Sequence, residues 1–245
     1  MAEVLETLKN GYTIFQDKKT FCFGVDAVLL SDFACKNIRH SKSLSVMDLC
    51  TGTGIIPLLM ASEIKNANFS ALEIQEKSCD MAQKSVNENG LEERIKIFQG
   101  DLKKVSQLFT KASFNAVTCN PPYMPFSHGK SSPTDAKAIA RHEVLCNIND
   151  VISSIDYLLH THGQFFMIHK PERLQEIFTV MSEHHLEAKK IRFIHPFADE
   201  APNLVLIEGR KNAEKGFVIE PPLVIREKNL EYTDEVKSIY EKSIN

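Results

Sequence analysis

Asn120-Pro121-Pro122-Tyr123 sets a side-chain amide and an aromatic ring three positions apart on a segment stiffened by two prolines. Each proline removes a backbone donor and fixes one φ, so the chain must leave the apolar run at 114–119 as a rigid, extended loop. An amide oxygen accepts from a planar amino group, and a ring stacks on a base or another flat substrate. The pair suits an exocyclic amine. A second set of residues offers different chemistry. Asp48 heads the turn Asp48-Leu49-Cys50-Thr51-Gly52-Thr53-Gly54, Glu73 stands 25 positions later, and Asp101 follows Gly100. Carboxylates at this spacing in a doubly wound fold serve ribose hydroxyls. A pyrophosphate site would want G-x-G-x-x-G, but the third position here is Pro57, so that fingerprint fails. Each carboxylate alone reads as the ordinary polar end of a strand. Three at successive strand ends, beside a glycine turn, read as a ligand site.

The elements that would hold these groups follow from the apolar spacing. Residues 46–49 are apolar apart from Asp48, as in a central parallel strand. Ile55, Ile56, Leu58, Leu59 and Ala61 recur at helical spacing, with Pro57 tolerated in the first turn. Residues 69–74 form a second strand, 75–89 a helix stopped by Gly90, 95–99 a third strand and 114–119 a fourth. Their alternation predicts a doubly wound parallel sheet that binds ligands beyond its carboxyl ends, where Asp48, Glu73, Asp101 and Asn120 fall. A helix at 149–160, a strand at 163–169, a helix at 171–184 and strands at 190–195 and 203–208 complete the pattern. The last two strands are joined by residues 196–202 alone, too few for a crossover, so they pair antiparallel. The expected fold is therefore α/β: a Rossmann-like, doubly wound, mainly parallel seven-stranded sheet with an antiparallel C-terminal hairpin.

Upstream, 11–23 reads as two strands around a turn at 16–19, while the first ten residues carry no pattern. Residues 24–33 put Val25, Val28, Leu29 and Phe33 on one helical face, with Asp26 near the start, where its charge favours the helix dipole. Residues 1–43 are thus an N-terminal hairpin-and-helix extension, and 44–245 the main domain with a C-terminal tail, a short extended piece and a polar helix. Residues 124–147 lack periodicity and are too long for an ordinary connection, which marks a functional loop whose Lys130, Arg141 and His142 could touch phosphates.

At 245 residues, 43% hydrophobic and 25% charged, the chain suits one large globular domain. With no 18-residue apolar run and no leader pattern, a soluble, cytoplasmic protein without membrane attachment is expected. Six scattered cysteines without C-x-x-C predict neither disulfides nor zinc, and His128, His184 and His185 have no metal spacing. A net charge of -3 excludes a uniformly basic surface, so a nucleic acid would meet a local patch. Lys170 with Arg173, and Lys189, Lys190 and Arg192, are the candidates, although each alone reads as a solvated charge.

S-adenosyl-L-methionine has no phosphate and needs only close backbone approach with carboxylates for its ribose and adenine amine. With the Asn-Pro-Pro-Tyr loop, the chain resembles class I methyltransferases that modify exocyclic or amide nitrogens. Within them, GVDAVLLSDF at 24–33, DLCTGTG at 48–54, LEI at 72–74, GDL at 100–102, NPPY, ARHE at 140–143 and PPLVIREKNLEYTDE at 221–235 resemble the bacterial family that N6-methylates adenosine 37 of a valine tRNA. The resemblance covers nearly the whole chain. It implies S-adenosyl-L-methionine as cofactor and tRNA as partner. Gly52 and Gly54, with Thr51 and Asp48 beside them, would take the methionine end. Glu73 and the adjoining Ile74 would hold the ribose, Asp101 and Leu102 the adenine, and the segment Gly24-Val25-Asp26 would close over the cofactor. Asn120, Pro121, Pro122 and Tyr123 would hold the target base. Cys50 departs from the broader motif, which usually carries a glycine there.

In that chemistry the Asn120 oxygen and the Pro121 carbonyl accept the two N6 hydrogens and aim the nitrogen lone pair at the methyl group. Three alternatives stay open. Glutamine methylation of release factors uses the same loop, but that family resembles a longer chain with a helical domain before its first strand, where about 43 residues stand here. DNA adenine methyltransferases generally add a sequence-reading domain. A non-catalytic RNA-binding or cofactor-sensing module could share the fold.

Overall fold

The computed structural model describes residues 3–8, 11–17, 22–39, 41–123 and 146–241. A hairpin comes first, β1 (Glu3–Thr7) against β2 (Thr13–Asp17), antiparallel. Between the two strands Leu8 N–H donates to Tyr12 O at 2.7 Å and Gly11 takes φ 81°. The hairpin expected at 11–23 is therefore displaced. Residues 3–7 supply the first strand, and the expected turn signal at 16–17 is still strand. Side chains of the third helix satisfy the free edge of β2. Phe15 N–H donates to Ser85 Oγ (2.9 Å), and Asn89 both accepts from Thr13 N–H (2.8 Å) and donates to Thr13 O (2.7 Å). A strand edge buried without such partners would be costly.

Helix α1 (Val25–Asn37) follows and buries Ala27, Val28, Leu29, Leu30, Phe33 and Ala34, more than the single face its sequence pattern suggests. Next come β3 (Leu44–Leu49), α2 (Ile55–Glu63), β4 (Ala67–Glu73), α3 (Glu76–Glu88) and β5 (Ile95–Gln99). A 3-10 turn at Leu102–Lys104 leads into the four-residue α4 (Val105–Leu108) and β6 (Phe114–Cys119). Then α5 (Ile148–Leu158) abuts β7 (Leu159–His169), and α6 (Leu174–Glu183) precedes β8 (Leu186–His195) and β9 (Leu204–Lys211). The capping box Asn147–Asp150 fixes the start of α5, each side chain accepting from the other's backbone N–H at 3.0 Å.

In the sheet the seven expected strands run β8-β9-β7-β6-β3-β4-β5, all parallel but β9, which pairs antiparallel with both neighbours. The order reverses at β3, opening a crevice beyond the carboxyl ends of β3 and β6, where such sheets bind ligands. Successive residues serve opposite layers. Val46, Ala116, Phe166 and Leu206 face α1 and α2, while Met47, Val117, Phe165 and Ile207 face α5 and α6. Burial on both faces turns a period of two into continuous apolar runs. Gly209 sits opposite Phe165, whose ring would lie 2.1 Å from any Cβ there. That packing demands glycine.

The tail adds β10 (Val218–Ile219) and β11 (Leu223–Val224), both parallel to β8, so the sheet has nine strands rather than seven. Two-residue strands are too short to leave a period. The final α7 (Asp234–Glu241) is amphipathic rather than simply polar, burying Val236 and Ile239 against the α1 layer. Lys189 donates to Glu214 O (2.9 Å) and Gly216 O (2.7 Å), Lys190 pairs with Glu220 (2.9 Å), and Arg192 with Glu235 (2.7 Å). These three cations fasten the tail to β8. Among the described residues no helix is long and apolar enough to cross a membrane, and no group of three or more His, Cys, Asp or Glu could hold a metal ion.

Candidate functional site

The turn after β3 takes three left-handed residues, Cys50 (φ 59°), Gly52 (φ 57°) and Gly54 (φ 84°). Two glycines absorb most of that cost, and Cys50 carries the remainder. A Cβ on Gly54 would stand 3.2 Å from Ala82 of α3, so close helix packing adds to the demand for glycine there. Glu73 braces the turn from the next strand end. Its two oxygens accept from Gly52 N–H at 2.9 Å and Gln75 N–H at 3.0 Å. Burial raises its pKa, and these backbone donors oppose the rise. Asp48 is fully buried beneath the turn. Its Oδ1 accepts from the Thr118 hydroxyl at 2.6 Å, while Oδ2 and the Thr51 hydroxyl have no hydrogen-bond partner. Burial pushes Asp48 up to about 7.

Register delivers the amide loop to this turn. Leu49 pairs with Cys119, so Asn120 leaves β6 level with Cys50. Asp26, in the first turn of α1, takes both polar groups of the loop on one oxygen: Asn120 Nδ2 donates to its Oδ2 at 3.2 Å and the Tyr123 hydroxyl at 2.8 Å. The same hydroxyl also contacts Asn120 Oδ1. Burial, then the Asp26 charge, raises the Tyr123 pKa well above the usual phenol range. Its ring meets His169 edge-on, with centroids 5.5 Å apart, and Lys170 Nζ lies 6.0 Å from the ring centre. Burial and the nearby Arg173 lower His169 to about 4, so it is neutral, with Nδ1 accepting from Lys170 N–H. Arg173 donates to Tyr123 O (3.5 Å) and pairs with Glu176 (2.6 Å). It supports the loop from behind.

Between turn and loop lies a cavity of about 420 Å³, within the range of small-molecule sites. Of the residues expected there, Thr51, Gly52, Glu73, Ile74, Asp101 and Leu102 line one part. Asp26, Asn120, Pro121, Pro122, Tyr123 and Lys170 line the other. Gly24, Asp48 and Gly54 do not line it, and Lys130, Arg141 and His142 lie outside the described residues. Asp101 also caps the 3-10 turn, accepting from Lys103 N–H at 2.9 Å. The wall includes Phe23, Ile55, Ile56, Gln75, Ser78 and Cys146, none of which the sequence singled out for the site. Ile55 and Ile56 read as core from their spacing. Gln75 and Ser78 were findable, because the first turn after a ligand-binding strand end faces the same crevice.

Residues 13–185 match the family model for the methyltransferase small domain. The chain belongs to this family. Curated relatives described as tRNA1(Val) (adenine(37)-N6)-methyltransferase include one from Bacteroides thetaiotaomicron, 27% identical over 93% of this chain and 92% of its own length. One from Histophilus somni is 27% identical over 98% of this chain and 97% of its own. Among solved structures, a predicted O-methyltransferase from Agrobacterium tumefaciens superposes with a TM-score of 0.70 at 19% identity, covering 89% of this chain and 97% of that one. Geranyl diphosphate C-methyltransferase from Streptomyces coelicolor, solved with S-adenosyl-L-homocysteine, gives 0.59 at 11% identity, covering 75% and 80%. These structural likenesses show the class I methyltransferase fold. The methyltransferase thus presents a crevice with acidic groups at one end and an amide-bearing loop at the other.

Proposed function

We propose that the chain transfers a methyl group from S-adenosyl-L-methionine to N6 of an adenosine in tRNA, at position 37 of a valine tRNA. One observation carries this: the Asn120 amide shares a cavity with Glu73 and Asp101. The cavity suits the cofactor chemically. Glu73 Oε1 and Oε2 are oriented by backbone N–H groups and keep lone pairs for ribose hydroxyls, Asp101 can accept from the adenine amine, and Ile74 and Leu102 offer apolar walls. Thr51 and Gly52 approach from the turn. Asp48 and Gly54 act by shaping that turn. When bound, the cofactor supplies an electrophilic methyl group on a sulfonium.

The protein's own part is positional. An adenine N6 lone pair is delocalised into the ring and is a poor nucleophile. Asn120 Oδ1 and the Pro121 carbonyl accept its two hydrogens, draw the nitrogen toward tetrahedral geometry and direct its lone pair into the cavity. Pro121 and Pro122 hold both acceptors still. Tyr123 stacks on a base turned out of its loop, an interaction of about 1–3 kcal/mol at comparable sites. Lys170, beside that ring, is placed for the nucleotide's phosphate. Such a tRNA is met in the bacterial cytoplasm.

The test is product identification after incubation with labelled S-adenosyl-L-methionine and separated tRNA, ribosomal RNA, DNA and release factor. Label in N6-methyladenosine of tRNA is expected. Label in glutamine would refute the substrate.

A further inference from the structure

A side-chain amide presents an acceptor at one end and a donor at the other. Only the acceptor helps an amine nucleophile, so some group must fix which way Asn120 faces. The described neighbour able to do so is Asp26. Its carboxylate oxygen accepts, so the 3.2 Å contact with Nδ2 directs Oδ1 away from it. A second conflict arises at the same place. The Tyr123 hydroxyl has one proton and two acceptors within reach, Asp26 Oδ2 at 2.8 Å and Asn120 Oδ1. When it donates to Asn120, it occupies the oxygen that an incoming amine needs. Asp26 gives that proton a stronger, charged acceptor.

Gly24 supplies independent support. It does not line the cavity, its φ of -107° is ordinary for any residue, and yet a Cβ there would stand 2.6 Å from Asp26 Oδ1. The carboxylate folds back over the helix start, into space that only glycine leaves open. That conformation aims Oδ2 at the loop.

We infer that Asp26 is a positioning residue for methyl transfer, orienting the Asn120 amide and accepting the Tyr123 hydroxyl proton that would otherwise occupy its oxygen. This rests on the proposed role of Asn120 and gives Gly24-Val25-Asp26 a task other than closing over the cofactor. Asp26→Ala should lower kcat about 10- to 100-fold with the Kd for S-adenosyl-L-methionine changed less than about threefold. Adding Tyr123→Phe to Asp26→Ala removes the competing hydroxyl and should raise kcat again by about threefold or more. Gly24→Ala keeps the carboxylate but displaces it, and should lower kcat in a protein with near-native thermal stability. Each variant is assayed by single-turnover methyl transfer, with cofactor affinity from calorimetry.

Native kcat in Asp26→Ala, or a loss confined to cofactor affinity, overturns the inference. So does a double variant no faster than Asp26→Ala alone. A wild-type product in glutamine instead of adenosine refutes the substrate and leaves the same comparison to be made on that product, because Asn120 would still receive an amide nitrogen.

Discussion

Replacing Asp48 with asparagine keeps the shape of a fully buried side chain and removes its charge. In the native protein burial outweighs the Thr118 hydrogen bond and carries the carboxyl from its ordinary 3.8 to about 7, roughly a thousandfold weaker as an acid. The folded state therefore holds a proton that the unfolded state releases between about pH 4 and pH 7. With more protons bound in the native state, stability falls as pH rises through that window. Below the window both states are protonated and the effect vanishes; above it, ionised Asp48 costs on the order of 4 kcal/mol. A neutral amide at this position is free of that cost. Asp48→Asn should thus be more stable than the wild type at pH 8 by up to about that amount, with the gap narrowing as pH falls toward 5 and closing near pH 4. Urea unfolding of both proteins from pH 5 to 8 measures it. A constant gap, or a variant that is less stable at pH 8, would show that the carboxylate is ionised and stabilised in place.

Asn120→Ala removes the positioned acceptor and should lower kcat on the order of 100-fold or more, with little change in cofactor affinity. Near-native turnover sinks its assignment. Gly209→Ala drives a Cβ into the Phe165 ring and should cost about 1–3 kcal/mol in denaturant unfolding, relieved in part by Phe165→Leu. Lys170→Ala should weaken binding of tRNA and reduce the slope of log affinity against log salt by about 1. An unchanged slope removes Lys170 from the phosphate path.

The chain's parallel core was readable because the central strands β3, β4 and β6 are largely buried on both faces and helices follow β3 and β4 at once. β5 and β6 fall within their expected limits, and Glu73, Asp101 and Asn120 come together at the crevice because strand ends in such a sheet have nowhere else to go. What escaped depends on distant partners. Residues 3–7 carry no alternation of their own and are strand only because β2 lies opposite. Lys189, Lys190 and Arg192 read as surface charges until the tail folds over them. Asp26 meets Asn120 across 94 positions of sequence, and no local pattern encodes that distance.

The burial of α1 on nearly every side has a temporal consequence. Its outer cover is α7, whose Val236 is the 210th residue after Asp26. At a ribosome adding about 5–20 residues per second, about 10–40 s separate the addition of Asp26 from that of Val236. In the later part of that interval, once Tyr123 has been added, a nascent chain has its Asn-Pro-Pro-Tyr loop and its glycine turn, but an N-terminal helix still partly open to water. The helix that covers α1 is thus made long after α1 itself, and α1 waits for it.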